Sequence, residues 1–277
     1  MKKIYSFIAL AIGCFMMASC GSDDYTEKVN SVQVESAETT IAATGGTAII
    51  KVTGTGLSVS SAASWLTASV SGNTITATAS QNTMRESRAT HITVTAANGD
   101  QQLISVIQFG QILALGTYEV EVNGSTHTIE VSAESNVDFT VSSNVDWITA
   151  TYDEETGIIT IDVKANVDEN TREGAVTVTS NGLTETITIS QGGIVLNVSD
   201  PEWYIKTSDA ATLTIPVERS IEVTASTSDD WLTATFNEET SELAVTTPKY
   251  SAVLRAGVVT LRSGSRTVVI PIDEYGS

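Results

Sequence analysis

Asp146-Trp147-Ile148-Thr149-Ala150 decides the fold, because the same short pattern occurs three times in the chain. Its counterparts are Ser64-Trp65-Leu66-Thr67-Ala68 and Asp230-Trp231-Leu232-Thr233-Ala234, so the tryptophans stand 82 and 84 residues apart. Self-similarity at a fixed period marks a series of like units rather than one large domain. An arginine follows each tryptophan, Arg88, Arg172 and Arg255, at 23, 25 and 24 residues. The likeness extends through Asn82-Thr83 and Asn170-Thr171, and through the unit ends Val106-Ile107-Gln108 and Ile189-Ser190-Gln191.

Within a unit the hydrophobic period is two. Tyr118, Val120 and Val122 alternate with Glu119 and Glu121, Ile159, Ile161 and Val163 with Thr160 and Asp162, and Val176 and Val178 with Thr177 and Thr179. Such runs, bounded by Asn123-Gly124, Asn181-Gly182 and Glu155-Thr156-Gly157, predict half-buried antiparallel strands joined by hairpins. Abundant Thr and Val agree, since β-branched side chains suit a pleated surface. About seven short strands in roughly 82 residues predict an all-β chain of three tandem immunoglobulin-like sandwiches in a rod-like arrangement. The expected boundaries are 31–112, 113–193 and 194–277. Joints of only a few residues, Gly110 to Leu115 and Gly192 to Ile194, leave no room for a long flexible linker.

The amino terminus predicts export. Lys2 and Lys3 precede a mostly apolar stretch, and Met17-Ala18-Ser19-Cys20 closes it with small residues before a cysteine. Residues 1–19 are therefore expected to be a removable signal peptide and 20–30 a polar tether. The segment resembles the lipobox of bacterial lipoproteins, with Met17 where that family most often has Leu. The resemblance implies that Cys20 becomes the first residue and carries the acyl chains, palmitate included. Gly21-Ser22-Asp23-Asp24 is similar to the acidic surface-export signal of Bacteroidota lipoproteins, which implies an outer-membrane, lipid-anchored protein facing the cell exterior. A solvated, charge-extended tether is the other way to read those residues.

Composition removes several classes of function. Thirty-three acidic against 14 basic side chains give a net charge of −19, and such a surface repels phosphate backbones, so no nucleic-acid partner is expected. Both cysteines, Cys14 and Cys20, lie at the amino terminus, which leaves the body without a thiol for a disulfide, a zinc site or a nucleophile. No apolar run of about 18 residues follows Cys20, so the membrane is expected to be met through the lipid alone. His91 and His127 fall in different units, which argues against a triad or a histidine metal site. Acidic clusters at Asp153-Glu154-Glu155, Asp168-Glu169, Asp229-Asp230 and Glu238-Glu239 sit in expected hairpin loops. A glycosidase needs two carboxylates facing one another across a cleft, whereas these read as solvated turns, with a weak calcium site as the alternative. No enzyme activity, catalytic residue, metal or cofactor is expected.

Strand parity sorts the aromatic residues. Leu66, Ala68 and Val70, then Ile148, Ala150 and Tyr152, then Leu232, Ala234 and Phe236 make the inward face of the strand that opens at each repeated Trp. Trp65, Trp147 and Trp231 have the opposite parity. They are either exposed platforms for sugar rings or structural residues at a bent strand entrance, each under its Arg88, Arg172 or Arg255 in a cation–π pair. Recurrence in every unit favours the structural role. Trp203 is unrepeated. Leu196 precedes Trp231 by 35 residues and its assigned counterpart Leu115 precedes Trp147 by 32, which places about three extra residues within Ser199-Asp200-Pro201-Glu202-Trp203. Trp203 and Tyr204 are accordingly the leading candidates for ligand contact, with ordinary packing at a module interface as the other reading.

The Trp-Leu-Thr-Ala opening, the Asn-Thr-x-x-x-Arg or Asn-Thr-Arg turn and the closing strand ending in Gln resemble the BACON domain (Bacteroidetes-associated carbohydrate-binding often N-terminal), in three copies over about residues 31 to 273. The third copy departs from the pattern. Pro248-Lys249-Tyr250 replaces the Asn-Thr part of the turn, Pro271-Ile272-Asp273 replaces the Gln ending, and a proline there predicts an edge strand. The resemblance implies a non-catalytic surface lipoprotein that binds glycan, plant polysaccharide or mucin, through its sandwiches. The alternative is a spacer or adhesive stalk that engages another surface protein without binding sugar.

Overall fold

The computed structural model describes residues 30–200, 202–207, 209–250 and 253–275. The expected signal peptide, the Cys20 anchor and all but the end of the tether lie outside them. Twenty-four strands and no helix make up the described residues.

The strands fall into three sets of eight. Module one holds β1 (Gln33–Ala37), β2 (Thr40–Ile41), β3 (Gly46–Thr53), β4 (Ser58–Ser61), β5 (Leu66–Ser71), β6 (Thr74–Ala79), β7 (Arg88–Thr95) and β8 (Gln101–Gln108). Module two holds β9 (Leu113–Leu115), β10 (Glu119–Val122), β11 (His127–Ser135), β12 (Phe139–Ser143), β13 (Ile148–Asp153), β14 (Ile158–Val163), β15 (Arg172–Ser180) and β16 (Thr184–Gln191). Module three holds β17 (Leu196–Val198), β18 (Trp203–Ile205), β19 (Ala211–Arg219), β20 (Thr224–Thr227), β21 (Thr233–Asn237), β22 (Glu242–Thr247), β23 (Arg255–Ser263) and β24 (Arg266–Glu274).

Each module is a sandwich of two four-stranded sheets with one topology. The sheet orders are β1-β3-β6-β5 over β2-β8-β7-β4, β9-β11-β14-β13 over β10-β16-β15-β12, and β17-β19-β22-β21 over β18-β24-β23-β20. This is the immunoglobulin-like arrangement. The eighth strand, beyond the seven expected, arises because the first strand is split: its beginning pairs antiparallel in one sheet, and its continuation crosses to pair parallel with the last strand in the other.

Alternation drives the packing. β6, β14 and β22 share one burial sequence, in which every second residue is buried: Ile75, Ala77 and Ala79, then Ile159, Ile161 and Val163, then Leu243, Val245 and Thr247. Each module closes its own core between its two sheets. With no disulfide available, apolar burial at about 25 cal/mol per Å² carries the stability, and no described buried side-chain polar atom lacks a hydrogen-bond partner.

The joints are tied by hydrogen bonds. Gln111, buried, donates from Nε2 to the Asn82 and Asn181 carbonyls at 3.0 and 2.9 Å and accepts the Ser180 hydroxyl at 2.9 Å. Arg85 pairs with Glu185 across the same joint. At the second joint, the Ser265 amide donates to the Val167 carbonyl and Ser125 Oγ donates to the Ser220 carbonyl. Both joints seat the loop before the repeated Arg on the last hairpin of the next module. A Cβ on Gly182 would lie 2.4 Å from the Thr83 oxygen, and one on Gly264 2.5 Å from the Val167 oxygen.

Register corrects three sequence expectations. Asn82 and Asn166, each six residues before the repeated Arg, are the equivalent turn residues, not Asn82 and Asn170. Both are buried, and their amides donate to Glu86 and Phe109 carbonyls and to Asn170 and Gly192 carbonyls respectively. Second, Leu196 pairs with Arg219 as Leu113, not Leu115, pairs with Ser135, so no insertion precedes Trp203. Third, the proline-bearing β24 is an interior strand. Pro271 is accommodated because the neighbouring β18 is short and its pairing starts only at Ile272.

Candidate functional site

The repeated tryptophans stand in the turn just before β5 and β13 and in the matching turn before β21. Each is half-buried and packed against its module's core. The Arg88, Arg172 and Arg255 guanidinium carbons lie 4.5, 4.2 and 4.0 Å from the Trp65, Trp147 and Trp231 ring centroids. Gly174 and Gly257 make room for the ring edges, since a Cβ on either would come 2.8 Å from Cζ2 of the Trp. One face of every repeated indole is thus occupied by a cation.

Each arginine is fixed in turn by the end of the last strand. Arg88 Nε donates to Gln108 Oε1 at 2.8 Å and Arg172 Nε to Gln191 Oε1 at 2.9 Å. Gln108 and Gln191 are fully buried, and their amides donate to the carbonyls of Ala42 and Ser80, and of Ser125 and Lys164. Burial pulls the Arg172 pKa below its usual value, and Asp168 and Asp146 oppose that pull. Module three keeps the geometry with different chemistry. Glu274, not the Pro271-Ile272-Asp273 run, stands where the glutamines stand; it is fully buried, pairs with Arg255 and accepts the Thr247 hydroxyl at 3.0 Å. The Tyr250 ring centroid also lies 4.2 Å from the Arg255 guanidinium carbon, in a turn that lacks the buried Asn.

Trp203 is a strand residue. It opens β18, pairs in register with Ile272, packs against the module-three core and donates its indole N–H to the Asp200 carbonyl at 3.0 Å. By register it takes the place of Val120 in module two, which also packs inward. Tyr204, the next residue, points outward and is 47% exposed. Its hydroxyl donates to Glu202 Oε2 at 2.6 Å, and that hydrogen bond, with the charge of Glu202, raises the Tyr204 pKa. Tyr275, absent from the sequence candidates, lies beside it at 40% exposure, with ring centroids 6.3 Å apart and planes inclined by 40°. Its only sequence signal is its place one residue past the buried end of the last strand.

The remaining candidates stay apart. His91 is exposed on β7, and His127 is hydrogen-bonded to Asn123 Oδ1 at 2.9 Å on β11. Among the described residues no group of three or more His, Cys, Asp or Glu could hold a metal ion. Two of the acidic loops are tied into the scaffold by their own side chains. Asp153 Oδ1 accepts the Glu155 amide, which helps to hold its pKa below the usual value, and Glu238 accepts the Val223 amide and pairs with Arg219. An open polar cleft of about 460 Å³ at the second joint is lined by Asn166, Asp168, Glu169, Asn170, Arg172 and Ser265, among others.

Comparison with known proteins agrees with this architecture. Among solved structures, the chain is similar to the I9–I11 tandem of titin, with a TM-score of 0.58 and 9% identity over 89% of this chain and 100% of that one. A variant of the titin domains I67–I69 gives a TM-score of 0.40 at 9% identity, covering 90% of this chain and 99% of that one. No curated protein matches the chain. Residues 55–109 and 137–192 match the model of the BACON family, described as "Putative binding domain, N-terminal", so modules one and two each carry a BACON match within an immunoglobulin-like tandem.

Proposed function

We propose that this chain is a non-catalytic glycan-binding protein, held by a lipid on Cys20 at the outer membrane and facing the cell exterior. The observation that carries the binding role is the match of two modules to a family described as a binding domain. The sandwich suits it, because a narrow two-sheet body offers flat faces and loop ends for contact rather than a deep cleft for chemistry. Plant polysaccharide or mucin glycan is the ligand class. In this reading the repeated Trp and Arg pairs are architectural, and ligand contact belongs to the unrepeated aromatic residues of module three.

Affinity electrophoresis of the mature chain in gels containing plant and mucin glycans tests the binding role. Retardation by at least one glycan is expected, and migration unchanged in every gel overturns glycan capture. Membrane fractionation of Cys20→Ala tests the anchor: the variant is expected in the soluble fraction, and its retention with membranes would overturn lipid attachment at Cys20.

A further inference from the structure

We infer that Tyr204 and Tyr275 form the sugar-stacking platform of this chain and that the polymer they take is uncharged. The inference rests on the glycan-binding reading above and adds to it both the contact residues and the ligand class.

The two rings are brought together by the parallel pairing of β18 with β24. Tyr204 is in register with Asp273, and the Tyr275 amide donates to the Ile205 carbonyl at 2.8 Å. Trp203, Ile205, Ile272 and Glu274 point inward on these strands, so Tyr204 and Tyr275 share the outward face. Pro271 and Val269, the latter 56% exposed, continue that face along β24. The result is an open aromatic and apolar strip with Asp273 set in it, which suits the apolar face of a pyranose ring.

The fold does not require it. The positions of Tyr204 and Tyr275 are taken by Thr40 and Phe109 in module one and by Glu121 and Gly192 in module two, by register with the buried Gln108, Gln191 and Glu274. Residues that serve the sandwich recur in all three modules, whereas this pair does not. Exposing large apolar rings without a structural need marks a contact surface.

Charge selects the ligand class. Glu202 binds the Tyr204 hydroxyl, and Asp273 adds its charge to the same ring. The whole chain is strongly acidic as well. Sulfated chains and polyuronates meet repulsion here, while uncharged chains meet stacking surface and a carboxylate able to accept sugar hydroxyls.

The test uses the mature chain in affinity gels of xyloglucan and galactomannan, which are uncharged, and of polygalacturonate and carrageenan, which are anionic. Retardation only by an uncharged polymer is expected, weakened about tenfold by Tyr204→Ala and again by Tyr275→Ala, as loss of an aromatic contact implies. Tyr204→Phe should stay within about threefold of the parent chain, since stacking survives. Thermal melting of each variant separates lost binding from lost folding. Retardation that survives both alanine variants overturns the platform and leaves the glycan reading standing. Preference for an anionic polymer overturns the ligand class, and absence of binding to every glycan overturns both readings together.

Discussion

The Arg172 guanidinium carbon lies 4.2 Å from the centroid of the Trp147 ring, and its Nε donates to Gln191 Oε1 at 2.9 Å. One side chain thereby joins the turn before β13 to the end of β16, from opposite sheets of the sandwich. Trp147→Ala should destabilise module two by about 2–4 kcal/mol through lost core contact, and Arg172→Ala by about 1–3 kcal/mol through unsatisfied buried acceptors. Hydrogen exchange followed by mass spectrometry should show the loss across residues 113–191, with the double variant less than additive.

Glu274 allows a sharper comparison, because modules one and two solve the same problem with glutamine. Glu274→Gln should leave module three within about 1 kcal/mol of the parent, since an Arg–Gln pair already works at Arg88 and Arg172. Glu274→Ala should cost about 3–5 kcal/mol, because it strips the partner from a largely buried guanidinium. Urea unfolding followed by exchange in β23 and β24 reads both.

At the second joint, Gly264 has φ of +54° and no room for a side chain against Val167. Gly264→Ala should push the hairpin off the module-two loop, at a cost of about 1–3 kcal/mol to the joint. The Ser265 amide, which donates to Val167, should then exchange faster while the core of β23 stays protected.

Tyr204 should titrate above the usual tyrosine range. A raised folded pKa means that its stabilising contribution is complete below the unfolded pKa, near 10, and is lost as pH rises through the folded value. Ultraviolet absorbance titration should lose a component above the usual tyrosine range in Tyr204→Phe, and that component should shift to lower pH in Glu202→Gln.

Much of the architecture was legible because a core leaves a mark that recurs. The 82- and 84-residue spacings of Trp147 from its two counterparts, and the alternation through Ile159, Ile161 and Val163, come from packing every module must repeat. What escaped depends on register. Asn166 and Asn170 both stand shortly before Arg172, and only the hydrogen bonds of a folded turn distinguish them. Glu274 was hidden because glutamate and glutamine do the same geometric work with different charge. The split first strand leaves no signature, since its halves are too short to show a period of their own. Trp203 looked like a loop residue beside Asp200-Pro201, yet its role is that of Val120. Tyr275 belongs to no repeated pattern, and only the pairing of two strands distant in sequence brings it to Tyr204.

The parallel pairing of the split first strand with the last has a mechanical side. In every module the chain enters through the antiparallel first half, continues into the parallel half and leaves on the last strand, so once the first half has peeled away, tension slides the parallel pair past one another and loads its bonds together. Four residue pairs share that load in β10–β16, three in β18–β24 and two in β2–β8. A stretched molecule would therefore yield first in module one and last in module two, giving up its length in steps while the middle module still held.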